Sequence, residues 1–290
     1  MKVKESLRDR IFYYVVVTIL IMLAMVAVIP LVTVLALSLS SKAAADMNIV
    51  NLWPVGFTLA SWKYILTNEG IWRSFFITVG ATVIGVLLAL TITSLMAYPL
   101  SKKEFKAGRI LMIMAMITMV FKAPVVSYFL TLKNIGLFNN PLVLFLPQIL
   151  TAYNMIIMRS FFQAFPSEVE EAALIDGAGR FKLFYSIVLP SSKAVLATVG
   201  LFYGVTIWNQ FQHPMMFIQD SKLFPLQMKI RQMISNGSEL RSLASMVGVN
   251  YSDRTLQSAA VVFAILPIIA IYPFLQKYFA KGAMLGSVKG

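Results

Sequence analysis

Long stretches without a charged side chain alternate with short polar segments along this chain. Residues 11–41, 74–101, 134–158, 194–219 and 255–276 contain no Lys, Arg, Asp or Glu, and residues 110–132 contain only Lys122. Each stretch provides the roughly 20 residues that a transmembrane helix needs. Lipid admits only helices or closed barrels, and these stretches do not alternate polar and apolar residues as barrel strands do. The pattern therefore predicts an all-α membrane protein with six transmembrane helices.

The predicted transmembrane helices cover Phe12–Leu37, Phe75–Leu100, Ile110–Leu132, Pro141–Met158, Ser191–Phe217 and Leu256–Phe274. Pro30 is expected to kink the first of them. Small residues in the second favour close packing against other helices, namely Gly80, Ala81, Gly85 and Ala89. The first stretch follows basic residues as a signal peptide would, but it is about twice too long for the apolar region of such a peptide.

A polar segment, residues 166–190, separates the fourth and fifth predicted helices and carries its own helix signals. Ser167 and Glu170 have the spacing of a capping box, which predicts that a helix begins there. Gly177 and Gly179 are expected to end this helix, because glycine readily takes the left-handed conformation found at helix ends.

A second short helix is predicted from Arg180 to Leu189, and Pro190 is expected to open the next segment. At 1.5 Å per residue, each of the two helices is roughly 15 Å long. This is half the thickness of a bilayer, so the pair is expected to lie on the membrane and not to cross it.

Charge is scarce but unevenly distributed: the 290 residues include 25 Lys and Arg against 12 Asp and Glu. With the N-terminus inside, the inner segments hold more Lys and Arg than the outer ones, so the positive-inside rule places both termini in the cytoplasm. The excess cations also suit contact with anionic lipid, and no basic tract indicates nucleic acid. The longest outer segment is predicted to be the loop 220–254.

Lys122 lies near the centre of the third predicted helix, two residues before Pro124. A lysine at the bilayer centre costs about 2.5–3.5 kcal/mol and rarely faces lipid. Three interpretations stay open: its ammonium bonds carbonyl groups freed by Pro124, it faces a substrate pathway, or it reaches for a membrane surface.

Polar side chains in the fifth predicted helix recur at steps of three and four, which places them on one helical face. Such groups face the bundle interior or a water-filled cavity. They either contact substrate or form interhelical hydrogen bonds. The members of this stripe are Tyr203, Thr206, Asn209, Gln210 and His213, and because His213 is the only histidine, no metal site is predicted.

Several catalytic signatures are missing from the sequence. It contains no G-x-x-x-x-G-K-[ST] P-loop, no G-x-S-x-G, no H-E-x-x-H and no cysteine. The chain is therefore not expected to be an enzyme or to bind a nucleotide. Its spanning stretches also lack the carboxylates that ion-coupled carriers usually need; a secondary carrier or channel not driven by ATP remains the alternative function.

The polar segment carries a recognisable motif. Glu171-Ala172-Ala173, three residues, Gly177, nine residues and then Ile187-Val188-Leu189-Pro190 match the EAA loop of ABC importer permeases, and Glu170, Asp176 and Gly179 belong to its extended form. Residues 156–162 and 201–209 resemble the MalG-type carbohydrate permeases, especially the group similar to the LplC and YtcP permeases. The similarity extends over essentially the whole chain.

This resemblance implies a single MetI-like permease domain of a type I importer in the cytoplasmic (inner) membrane of a bacterium. A second permease subunit would complete the pathway, two cytosolic ATPase subunits would bind ATP and Mg²⁺, and an external solute-binding protein would deliver substrate. The permease chain itself would need no cofactor. The outer loop 220–254 would reach the binding protein, and the tail 282–290 would enter the ATPase dimer interface.

The motif helix would be the coupling helix seated in a groove of the ATPase. The residues implied in this contact are Glu170, Glu171, Ala172, Ala173, Asp176, Gly177, Gly179, Leu189 and Pro190. The subgroup indicates an oligosaccharide substrate. Lys122 and the basic outer loop refine this to an acidic sugar, such as a uronate oligomer of the alginate type.

Overall fold

A computed structural model describes residues 7–235 and 251–286, and these residues form helices and no strand. The α-helices are α1 (Leu7–Ser38), α2 (Lys42–Asp46), α3 (Ala60–Thr67), α4 (Glu69–Ser101), α5 (Gly108–Val120), α6 (Val125–Asn134), α7 (Ala152–Gln163), α8 (Ser167–Ile175), α9 (Arg180–Leu183), α10 (Leu189–Ser191), α11 (Lys193–Trp208), α12 (Gln212–Phe217), α13 (Leu226–Ser235) and α14 (Asp253–Gly286). A π-helical turn covers Phe184–Val188, and 3-10 turns cover Pro141–Leu144, Leu146–Gln148 and Ser221–Leu223. Part of the predicted outer loop, 236–250, and the last four residues of the predicted tail lie outside the described residues.

Three stretches are continuous helices long and apolar enough to cross a membrane: α1, α4 and Asp253–Phe274 of α14. Three further candidate spans are helix pairs with a bend at a short break. The bends are 117° between α5 and α6, 47° between Pro141–Gln148 and α7, and 79° between Arg180–Ser191 and α11. The described chain therefore holds three candidate spans, or six if each bent pair is one span.

The prediction of one continuous third helix, Ile110–Leu132, is wrong. Residues 121–124 leave the helical conformation between α5 and α6, and Pro124 is the N-cap of α6. Proline lacks an amide N–H and disfavours helical geometry in the residue before it. The break follows from this chemistry and places Lys122 in the non-helical connection.

The fourth and fifth predicted helices are also interrupted. Residues Pro141–Gln148 form two 3-10 turns before α7. The helix expected over Ser191–Phe217 begins as α11 at Lys193, ends at Trp208 and resumes as α12 at Gln212. α14 instead continues to Gly286, twelve residues past the predicted end at Phe274, and takes in the first part of the predicted tail. Within the predicted outer loop, Leu226–Ser235 is helical, as α13.

The chain divides into two compact units. The first contains residues up to Glu69 together with 230–266. Within it, Ser61 Oγ donates to Thr255 Oγ1 over 2.9 Å, and Arg254 Nη1 donates to Asn48 Oδ1 over 2.8 Å. α1 runs uninterrupted through Pro30, and most of its apolar side chains are exposed. Such a surface suits lipid more than water.

The second unit contains residues 70–229 and 267–290 and holds the candidate site. One face of α4 in this unit carries a buried stripe of small residues at steps of three and four: Ser74, Thr78, Ala81, Gly85, Ala89, Thr93 and Ala97. Small side chains let helix backbones approach closely in a membrane protein. The predicted packing role is confirmed for Ala81, Gly85 and Ala89, whereas Gly80 lies outside the stripe with open space around it.

Candidate functional site: the EAA segment and a polar cluster

The motif helix α8 begins and ends at identifiable residues. Pro166 is its N-cap and makes no side-chain cap bond, and Ser167 is already helical. The predicted capping box is therefore wrong, because Glu170 bonds a lysine outside the helix. At the other end Gly177 has φ +79°, and the amide of Ala178 donates to the carbonyl of Ala173 over 3.0 Å. This left-handed end confirms the prediction for Gly177.

Gly179 has a different role from the one expected. Its backbone is extended, with φ −65° and ψ 155°, and it is the N-cap of α9. The amide of Leu183 donates to its carbonyl over 2.9 Å. Gly177 ends one helix, and Gly179 starts the next after only one intervening residue.

One face of α8 is held against the rest of the unit. Glu170 forms an ion pair with Lys102, which follows the end of α4, and their side chains are 15% and 28% exposed respectively. The ammonium of Lys102 also lies 4.7 Å from the centre of the Tyr98 ring, a cation–π contact. Ala173, one turn after Glu170, is buried. Residues three apart share a helix face, so these contacts define the bound side of α8.

The opposite face of α8 is open. Glu171, Ala172 and Asp176 are exposed, and Ile175 is 86% exposed. Val169 and Leu174 of the same helix are exposed as well, and large apolar side chains exposed together on one short helix are typical of an interaction surface. Of the predicted coupling residues on α8, the structure thus directs Glu170 and Ala173 inward and Glu171, Ala172 and Asp176 outward.

The second helix of the segment braces the first. Leu183, Phe184 and Val188 are buried in the same core cluster as Ala173. The Phe184 ring lies 4.9 Å from that of Tyr98. Helical structure runs from Arg180 to Ser191, confirming the predicted second helix with two additional residues and a π-helical turn.

Leu189 is half-buried against this core, and Pro190 is exposed inside α10. The following helix opens at Lys193, after a break at Ser192, and not at Pro190 as predicted. A cavity of about 830 Å³ borders α8 and is lined by Tyr98, Lys102, Glu170, Glu171 and Arg180, among other side chains.

A second polar feature is assembled from four separate segments. Tyr128 Oη lies 2.8 Å from His213 Nε2, and Gln148 Nε2 lies 2.7 Å from His213 Nδ1. Gln148 Nε2 also donates to Gln210 Oε1 over 2.8 Å, and Gln210 Nε2 donates to the carbonyl of Leu144. A neutral imidazole donates from one ring nitrogen and accepts at the other, so His213 links Tyr128 to the two glutamine side chains.

This polar cluster (Tyr128, Gln148, Gln210 and His213) retains one unused acceptor. Gln148 Oε1 is buried and has no hydrogen-bond partner among the described residues. A buried acceptor without a partner costs roughly 1–3 kcal/mol.

The predicted polar stripe does not form a single helical face, because α11 ends at Trp208. Tyr203 is 1% exposed, and its hydroxyl lies 2.8 Å from Thr93 Oγ1 and 3.1 Å from the amide of Thr151. The interhelical interpretation therefore holds for Tyr203. Thr206 and Asn209 are exposed and donate to carbonyls of their own helix, and Gln210 and His213 join the cluster.

Lys122 is exposed in the break between α5 and α6. Its ammonium forms no hydrogen bond or ion pair with another residue in 7–235 or 251–286. It therefore makes no bond to the carbonyls around Pro124. The described residues also include no group of three or more His, Asp and Glu that could hold a metal ion.

Sequence reasoning missed Tyr128 and Gln148 as partners of His213, and Lys102 as the partner of Glu170. Tyr128 and Gln148 stand 85 and 65 residues from His213, and no periodicity links positions so far apart. The pairing of Lys102 had one available signal, since the predicted topology places the segment after the second helix and the motif segment on the same, cytoplasmic side of the membrane.

Known proteins are similar to this chain in sequence and in fold. The family model for the binding-protein-dependent transport system inner membrane component matches residues 89–284. The polygalacturonan/rhamnogalacturonan transport system permease protein YtcP of Bacillus subtilis (strain 168) is 36% identical over 286 residues, covering 98% of this chain and 100% of that protein. Protein LplC of the same strain is 36% identical over 272 residues, covering 91% and 90%.

A solved structure is similar over almost the full length of the chain. It is the crystal structure of a bacterial ABC transporter involved in the import of the acidic polysaccharide alginate. The TM-score is 0.87 at 30% sequence identity, covering 96% of this chain and 100% of that chain. The resemblance to carbohydrate ABC permeases is confirmed by these matches.

Proposed function

Since this chain belongs to the family of binding-protein-dependent transport system inner membrane components, we propose that it forms half of the translocation pathway of an ATP-driven importer for acidic oligosaccharides. A second permease subunit forms the other half, two cytosolic ATPase subunits bind ATP and Mg²⁺, and a solute-binding protein delivers substrate from outside. The complex lies in the bacterial cytoplasmic membrane with both termini of this chain inside. This subunit contributes the pathway and carries out no catalytic step.

The observation that carries the proposal is the two-sided form of α8. Its inner face is tied to the bundle by Glu170 and Ala173, so the helix moves with the transmembrane helices as one body. Its outer face presents Glu171 and Ile175. The apolar side chain supplies contact area, and the carboxylate supplies a charge-assisted hydrogen bond to a cation of the ATPase.

Transport then follows if α8 acts as a rigid link between the ATPase subunits and transmembrane helices that alternate between two conformations. ATP binding closes the ATPase dimer, which displaces α8. The bent pairs and the last helix rock between inward-open and outward-open arrangements. Such a switch requires two discrete states whose populations ligands bias. Lys102 and the core around Phe184 transmit the displacement, because they join α8 to the end of α4.

The substrate class is proposed from the relatives together with the cationic and polar groups of the pathway. Galacturonan and alginate are both polymers of uronic acids, so each repeating unit of such a substrate carries a carboxylate. Lys122 provides an exposed cation without a protein partner among the described residues. The polar cluster provides amide and imidazole groups that can hydrogen-bond sugar hydroxyls. We place both groups on the substrate pathway.

The coupling role is tested with Glu171→Ala in the complete importer reconstituted in proteoliposomes, followed by ATP-dependent uptake of a labelled uronate oligosaccharide. A charged hydrogen bond is worth roughly 1.5–3 kcal/mol, so uptake is expected to fall about tenfold or more while the subunits remain assembled. The control is Glu69→Ala. Glu69 is the first residue of α4, about 50 Å along that helix from the end that contacts the EAA segment, so this variant should leave uptake unchanged. Normal uptake by the Glu171 variant would refute its role as a coupling contact.

The same vesicles test the substrate separately. Lys122→Gln is expected to lower uptake of the uronate oligosaccharide several-fold and to leave ATP hydrolysis in the assembled complex intact. A neutral oligosaccharide of the same length is the control. If neutral and uronate sugars enter equally and Lys122→Gln affects neither, the acidic substrate is wrong while the coupling role stands.

A further inference from the structure

A second cavity, of about 620 Å³, opens where the segment after α4 meets α5 and α7. The cations that line it are Lys102, Lys103, Lys106, Arg109 and Arg159, and no Asp or Glu is among the described residues that line it. Five like charges around one cavity repel one another unless an anion is present. The charge composition of the lining therefore indicates an anionic occupant.

The described residues of the unit leave most of this charge uncompensated. Lys102 is paired with Glu170, and Arg159 uses its Nε to bond the carbonyl of Leu100 over 2.7 Å. Lys103, Lys106 and Arg109 are exposed and have no ion-pair partner in residues 7–235 and 251–286. Three full charges and the outer edge of the Arg159 guanidinium are available to a ligand.

Apart from Ser101 and Gln163, the remaining side chains of the lining are apolar, and several of them continue along the membrane helices. Met112, Ile113 and Met116 follow Arg109 at three, four and seven residues, so the four side chains share one face of α5. Ile113 and Met116 are both 46% exposed. Ile156 of α7 lines the cavity from the other side. The cations thus stand at one end of an apolar groove that extends about 10 Å along a candidate span.

We propose that this cleft is a binding site for an anionic phospholipid. The phosphodiester lies among Lys106, Arg109 and Arg159, and an acyl chain lies along Ile113 and Met116. A soluble phosphate would satisfy the cations alone and leave the apolar groove empty. A zwitterionic lipid would bring its own cation next to the lysines, so the cleft selects a headgroup with net negative charge.

The test is native mass spectrometry of the purified full-length chain, titrated with dioleoylphosphatidylglycerol or with dioleoylphosphatidylcholine. Phosphatidylglycerol is expected to remain bound at lower concentration than phosphatidylcholine. The double variant Lys106→Gln/Arg109→Gln should weaken phosphatidylglycerol binding about 30-fold, since each basic group near an anionic lipid surface contributes about 1 kcal/mol. Lys42→Gln/Lys63→Gln removes the same charge elsewhere and should leave that binding unchanged.

Lys106→Arg with Arg109→Lys retains the charge and should retain binding, which separates a lost contact from a misfolded chain. The proposal is overturned if both lipids bind equally or if the control pair weakens phosphatidylglycerol as much as the cleft pair. Displacement of the lipid by excess inorganic phosphate would identify a soluble-anion site instead. Unchanged lipid binding with loss of ATPase co-purification in the cleft variant would assign these cations to a protein contact.

Discussion

The EAA segment and the polar cluster are both functional candidates, but the chain builds them differently. The EAA segment is continuous: α8, Gly177 and α9 follow one another within 17 residues, from 167 to 183. The polar cluster draws Tyr128, Gln148 and His213 from three separate helical elements, and Gln210 from the connection between α11 and α12. The first is a local structure docked on a bundle, whereas the second exists only where the bundle is assembled.

The two regions therefore differ in the substitutions that should disrupt them. In the EAA segment the geometry depends on local backbone conformation, on the packing of Ala173 and Phe184 in the core, and on the ion pair of Glu170 with Lys102. In the polar cluster it depends on how closely α4 approaches the segments that carry Leu144 and Gln210. Each region requires a glycine: Gly85 because α4 packs closely there, and Gly177 because its φ is positive. Gly80 and Gly179 meet neither requirement and serve as matched controls.

Gly85→Ala is expected to have the largest effect, on the region of the polar cluster. An added Cβ would lie 2.7 Å from Cδ1 of Ile207 and 2.7 Å from Cβ of Phe145. Overpacking of this kind costs typically about 1–3 kcal/mol, so the unfolding midpoint in detergent should fall. Gly80→Ala on the same helix meets no heavy atom within 4 Å and should leave it unchanged. Equal unfolding midpoints for the two variants would mean that α4 does not pack closely against Phe145 and Ile207.

Charge reversal at the docking ion pair is expected to have an intermediate effect. Glu170→Lys places two ammonium groups together and should loosen α8, seen as faster amide hydrogen exchange over residues 167–175. The exchanged pair Lys102→Glu/Glu170→Lys should recover most of the protection, with a coupling free energy of about 2 kcal/mol. If the exchanged pair protects no better than the single variant, the ion pair does not hold the helix.

Gly177→Ala is expected to have the smallest effect, confined to the EAA segment. The substitution forces a side chain into a left-handed conformation, at a cost of roughly 1 kcal/mol, although nothing lies within 4 Å of the added Cβ. Hydrogen exchange at the end of α8 should accelerate. Gly179→Ala, with φ −65° and equally open surroundings, is the control. Equal exchange rates in the two variants would show that the left-handed conformation at position 177 does not determine the stability of the end of α8.

Features set by neighbouring residues could be predicted from the sequence, whereas features that form only when helices pack could not. The helix pair of the EAA segment and its stop at Gly177 could be predicted, since glycine, short-range spacing and motif all lie within a few residues. Ser167 and Glu170 indicated the helix start correctly, since α8 begins at Ser167, but the cap they predicted does not form. The Glu170 carboxylate pairs with Lys102 instead, a distant partner that capping rules do not consider. The apolar pattern predicted six spans, and the described chain holds three, or six if each bent pair is one span. The pattern could not show that the helices are interrupted at Pro124 and Asn209.

Composition and local pattern alone determined that this chain is helical, apolar enough for several spans, and equipped with a permease motif whose turn requires Gly177. These properties depend on hydrophobic burial and backbone sterics, which act over one to a few turns. The ion pair of Glu170, the inward position of Tyr203 and the partners of His213 were decided by tertiary structure. Side chains 50 or more residues apart meet only when helices pack, and the small residues of α4 set how closely they do so.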